Sequence, residues 1–228
     1  QLALTAFKAQ ESAHATTWEH YGQVSKYFDT IDSAGYCDAF SAFDISLRTT
    51  HPKDDVLADI LAQSSSLLTE YRTDIERYCG FLTHVDFVPH NIRIARGEIY
   101  LLDHSSLRFG NKYEGWARFL NFMLLYNPEL EHSLVEYVRL NRTPEEFTVL
   151  RLMRIFRLGE ILMYYTKTLD RSTGNLLTLN TARFEFWKQA LKCMTEDTIF
   201  PDHIRTEYRA LRDSLRSPEE LERQKDLH

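Results

Sequence analysis

Apolar residues recur at three- and four-residue steps along most of the chain, a pattern that predicts helix. From Asp54 to Tyr78 the positions Val56, Leu57, Ile60, Leu61, Leu67, Leu68, Tyr71, Ile75 and Tyr78 form one amphipathic stripe, weakened by Ser64-Ser65-Ser66. Residues 5–30 are helix-permissive. The run 32–52 carries Gly35 and the aromatics Tyr36, Phe40 and Phe43 without a clean period, and reads as an irregular connection or insertion. Trp116 to Tyr126 is strongly apolar, and Pro128 opens a helical stretch to about Leu140. Thr143-Pro144-Glu145-Glu146 has the chemistry of a helix start: Thr caps, Pro suits the first turn, and Glu146 completes a capping box. That helix runs to about Leu169. A loop over Arg171–Asn175 follows, helices resume near Thr181, and Ser217-Pro218-Glu219-Glu220 repeats the helix-start chemistry.

The strong β signal lies at the middle of the chain. Ile92–Ala95 and Glu98–Leu102 flank Arg96-Gly97 and predict a short hairpin. The expected fold class is therefore α+β, mainly helical, with one small hairpin.

Composition narrows the function. The 228 residues are 43% hydrophobic with 8 Gly and 6 Pro, which fits one folded domain and excludes disorder or a collagenous role. A net charge of −6 argues against a nucleic-acid or anionic-membrane partner. No apolar run is long enough to span a membrane, and the N-terminus lacks the marks of a signal peptide. Cys37, Cys79 and Cys193 are odd in number and far apart, which points to a reducing, cytoplasmic setting rather than a disulfide framework. The first Met is Met123, so the sequence reads as part of a longer polypeptide.

Chemistry concentrates in Thr83-His84-Val85-Asp86-Phe87-Val88-Pro89-His90-Asn91, the hairpin, and Asp103-His104. A turn about Gly97 would set Asn91 opposite Asp103, close enough for an amide oxygen and a carboxylate to share a hard cation such as Mg²⁺. Asp86, across a proline-stiffened loop, would face the same spot. Two carboxylates and an amide suit phosphoryl transfer: one group takes the acceptor proton and two hold the metal. Taken singly, each of these residues is an ordinary loop-capping polar group.

Together, His84-x-Asp86-x-x-x-x-Asn91, a hairpin, and Asp103 after the apolar strand Ile99–Leu102 resemble the catalytic and metal-binding loops of the protein-kinase-like superfamily. The pattern is most similar to the aminoglycoside phosphotransferase and choline kinase group, with Pro89 before Asn91, a Phe109-Gly110-Asn111 turn and an apolar helix after it. The motifs cover about residues 81–126. The resemblance implies a C-terminal kinase lobe, with the hairpin carrying metal-binding residues and flanking helices shaping an acceptor pocket. It implies Asp86 as catalytic base, His84 as an orienting residue beneath the loop, and Asn91 and Asp103 as Mg²⁺ ligands. The reaction implied is transfer of the γ-phosphoryl group of ATP or GTP to a hydroxyl of a small acceptor such as an aminoglycoside, amino sugar or choline-like alcohol.

Three departures qualify it. Val88 stands where protein kinases carry Lys and many antibiotic kinases His, His104-Ser105 replaces Phe-Gly, and Gly115 falls where the family often has a supporting Asp. The chain also lacks a Gly-rich phosphate loop and a strand-borne Lys, so the expected nucleotide lobe is absent from it and the lobe alone is expected to be inactive. The alternative is a non-catalytic kinase-like binding or scaffolding module. A 2-His-1-carboxylate iron site using His84 and Asp86 with His132 or His203 is a further arrangement, though such sites favour β-barrels. Arg151, Arg154 and Arg157 form a basic stripe expected to be solvated or acid-paired.

Overall fold

The computed structural model describes residues 2–96 and 98–216. Within them the chain is mainly helical, as the periodicity predicts, with four short strands. The helices are α1 (Leu2–Trp18), α2 (Tyr21–Val24), α3 (Ser33–Thr50), α4 (Asp55–Glu70), α5 (Arg72–Arg77), α6 (Glu114–Tyr126), α7 (Pro128–Asn141), α8 (Pro144–Leu169), α9 (Gly174–Glu196) and α10 (Asp202–Ser214). The strands are β1 (Phe81–His84), β2 (Ile92–Ala95), β3 (Glu98–Leu101) and β4 (Leu107–Gly110).

The 26-residue α8 is the axis of the core and packs against α3, α6 and α9. Its start follows the predicted capping box: Thr143 Oγ1 accepts from the Glu146 N–H and the Glu146 carboxylate accepts from the Thr143 N–H. Gly159 lets α3 approach closely, since a Cβ there would lie 2.6 Å from the Phe40 ring. Tyr36 meets Phe156 edge-on at 4.9 Å in the same seam.

Several local expectations need correcting. Residues 33–50 are not an irregular insertion but a regular helix. Asp32 caps it by accepting from Gly35 N–H at 2.8 Å, and the buried Tyr36, Phe40 and Leu47 follow a helical spacing once Phe43 is included. The Asp54–Tyr78 stripe breaks at Tyr71 into α4 and α5. Helix resumes at Gly174 rather than near Thr181. The Ser217-Pro218 helix start, and Gly97 at the hairpin turn, lie outside the described residues.

A second ribbon was not anticipated. β1 pairs antiparallel with β4, from Phe81 opposite Gly110 to His84 opposite Leu107. The segment 29–31 extends it beside β4, with Ile31 N–H donating to Phe109 O and Phe109 N–H to Asp29 O, both at 2.8 Å. Among the described residues no helix is long and apolar enough to cross a membrane.

Candidate functional site

β1 ends at His84 and β4 begins at Leu107, so the two loops carrying Asp86 and Asp103 leave the same end of one ribbon. His84 is buried in that end. Its Nε2–H donates to Leu102 O at 2.7 Å, which ties β1 to the residue before Asp103. The Phe87 and Val88 side chains are fully buried and anchor the loop between Asp86 and Asn91. Val88, which departs from the kinase pattern, is therefore a packing residue.

Asp86 and Asn91 meet. Asn91 Nδ2 donates to the Asp86 backbone oxygen and to Asp86 Oδ2, each at 2.9 Å. Its Oδ1 then has no protein donor among the described residues. Asp86 Oδ1 accepts from Arg118 Nε at 3.0 Å, and Arg118 Nη2 lies 3.0 Å from the same atom. Burial holds the Arg118 guanidinium below its usual pKa, and neighbouring Arg157 pushes the same way.

The geometry expected for Asp103 is one residue out. The β2–β3 register pairs Ile92 with Leu101, and Leu102 N–H donates to Asn91 O at 2.8 Å. Asn91 therefore faces Leu102, not Asp103. The pairing of Ala95 with Glu98 produces the shift. Asp103 leaves the ladder on a left-handed backbone (φ 58°, ψ 63°), a strained state for a non-glycine residue. Its carboxylate accepts from the Ser105 and Ser106 hydroxyls, which hold its pKa below the usual carboxylate value.

Asn91 offers an amide oxygen without a protein donor and Asp103 an exposed carboxylate, each an oxygen donor of the type a hard cation takes, but the register does not set the two opposite each other. Among the described residues no group of three His, Cys, Asp or Glu side chains could hold a metal, so His132 and His203 do not join His84 and Asp86. Two cavities, each about 720 Å³, open elsewhere, and neither is lined by Asp86, Asn91 or Asp103.

Sequence reasoning missed the support behind the site. Glu114 is wholly buried at the start of α6. It accepts from Tyr36 Oη at 2.7 Å, from Arg157 Nη1 at 3.2 Å, and from Arg108 in a charge-assisted pair. Burial and the Glu114 charge push the Tyr36 phenol well above its ordinary pKa. Burial, the largest single influence, would lower Arg108, but Glu114, Tyr36 and Glu160 together outweigh it and the guanidinium is raised. Gly115, where a supporting Asp was expected, instead receives Gln10. A Cβ there would lie 2.2 Å from Gln10 Nε2, which donates to Thr83 on β1 at 3.0 Å. The basic stripe divides: Arg151 binds the Met194 and Thr195 carbonyls, Arg154 pairs with Glu131, and Arg157 with Glu114 and Glu160. The available signal was Arg118, a lone charge inside the apolar Trp116–Tyr126 run, four residues after Glu114.

Comparison of the chain with protein-family models, with curated proteins and with solved structures finds no match.

Proposed function

We propose that this chain is the acceptor- and metal-side lobe of a small-molecule kinase of the kind its motifs resemble. The observation that carries the reading is the Asn91 amide, which fixes the backbone and carboxylate of Asp86 while leaving its own oxygen free. A base held by two groups is pre-oriented, and orientation is most of what phosphoryl transfer asks of a protein. In this reading the acceptor hydroxyl donates its proton to Asp86 as its oxygen attacks the γ-phosphorus of ATP or GTP, and the bond to the nucleoside diphosphate breaks. Arg118 keeps the Asp86 carboxylate aligned. Asn91 Oδ1 and Asp103 would hold Mg²⁺, which when bound neutralises phosphate charge. His84 sets the distance between the two loops through Leu102 O. A nucleotide lobe from the same protein would complete the site.

The test is Asp86→Asn in the intact protein, which should cut turnover by about 10²–10⁴-fold, the usual contribution of a general base. Circular dichroism should be unchanged, and near-wild-type turnover would overturn the reading. One observation favours a non-catalytic binding module instead: both Asp86 oxygens and both Asp103 oxygens already have protein partners. That reading predicts Mg²⁺-dependent nucleotide binding by calorimetry with no hydrolysis or transfer.

A further inference from the structure

One cavity of about 720 Å³ opens at the opposite end of the β1–β4 ribbon from Asp86, beside Gly80 and Phe109. Four strand residues at about 3.3 Å each put the two ends on the order of 10 Å apart. Three aromatic rings line it. Trp18 stacks one face on Phe81 at 4.8 Å and stays 54% exposed. Tyr21 stands edge-on to Phe109, with centroids 4.9 Å apart and planes at 89°. These contacts fix the rings before any ligand arrives.

The charges around the cavity are one-sided. Asp32 and Glu76 line it, and no Lys, Arg or His does among the described residues. Asp32 Oδ1 accepts from Gly35 N–H at 2.8 Å and Glu76 Oε2 from Ser33 N–H at 2.9 Å. The second oxygen of each carboxylate has no protein donor, and neither carboxylate belongs to an ion pair among the described residues. The half-buried Cys79 thiol in the wall is pushed up to about 12, by burial first and then by the Glu76 and Asp32 charges.

We infer that this cavity binds an organic cation, a protonated amine on an apolar body. The amine would donate to the free oxygens of Asp32 and Glu76, and its body would lie against Trp18, Tyr21 and Phe109. Aromatic faces attract cations through their quadrupoles, and an uncompensated carboxylate pair adds a net field that a neutral ligand cannot use. The site is separate from Asp86 and does not depend on the kinase reading.

The experiment titrates the chain with phenethylammonium chloride, and separately with 2-phenylethanol, at constant ionic strength. Binding is read by calorimetry and by tryptophan fluorescence, since Trp116 and Trp187 are buried and Trp18 is exposed. The ammonium should bind at least fivefold more tightly than the alcohol. Glu76→Gln and Asp32→Asn both keep an acceptor for the backbone N–H and should erase most of that preference without changing the thermal midpoint by more than about 2 °C. Trp18→Ala should weaken both ligands. Equal affinity for the two ligands, no saturable binding of the ammonium to 10 mM (roughly the weak limit of a specific site), or an unchanged preference in both carboxylate variants would overturn the inference.

Discussion

His14 gives a pH dependence that can be worked from its surroundings. The ring lies in α1, 5% exposed, with Phe81 at 5.7 Å and no hydrogen-bond partner for Nε2. Burial, with Lys112 adding to it, lowers its pKa from 6.5 to about 3. A histidine depressed in this way is neutral in the fold but takes up a proton when the chain unfolds. Its contribution is therefore intact above pH 6.5 and lost as pH falls through 6.5 towards 3. At 1.36 kcal/mol per pH unit, the loss is about 2 kcal/mol at pH 5 and about 3 kcal/mol at pH 4. His14→Leu removes the titration and the unpartnered nitrogen while keeping an apolar body in the same place. Urea unfolding of both proteins should show them similar at pH 7.5, with the variant gaining about 2 kcal/mol relative to wild type at pH 5. Parallel stability curves from pH 7.5 to 5 would refute the burial of a neutral imidazole.

Two further outcomes test the scaffold behind the site. Glu114→Ala leaves Arg108 and Arg157 without their shared carboxylate, and removing one partner of a buried pair should cost about 3–5 kcal/mol, read as a fall in the urea midpoint with an unchanged slope; a loss under about 1 kcal/mol would mean that Glu160 already compensates Arg157. Gly115→Ala should gain about 1 kcal/mol in helix propensity but displace Gln10 from Thr83, stranding buried polar groups at about 1–3 kcal/mol, so a net destabilisation is expected and a stabilised variant would contradict the close approach of α1.

What could be read from the sequence was what short range controls. The capping box at Thr143 and Glu146 involves residues three apart, and the hairpin strands face each other across two residues, so local chemistry specifies both. Helix α3 was hidden because Gly35 and a cluster of large rings masked a spacing that only burial against α8 makes meaningful. The β1–β4 ribbon pairs Phe81 with Gly110, too far apart for any local pattern to announce. The same holds for Asp86 with Arg118 and for Glu114 with Arg157 and Tyr36.

The one-residue error in the hairpin shows why site geometry is harder to read than site composition. Strand side chains alternate faces, so shifting a pairing by one position reverses the side on which a residue falls. With Leu102, not Asp103, bonded to Asn91, Asp103 is the first residue beyond the ladder and no cross-strand partner dictates its direction. Its orientation comes instead from the left-handed backbone and from the Ser105 and Ser106 hydroxyls. Those are weak local restraints on an exposed group, whereas Asp86 is held by Asn91 and by a largely buried Arg118. The two carboxylates therefore differ in kind: Asp86 is set by the packed core and Asp103 by its own loop. Under the proposed function, a cation or a phosphate would meet an Asp86 already held by Asn91 and Arg118 and an Asp103 held only by its own loop.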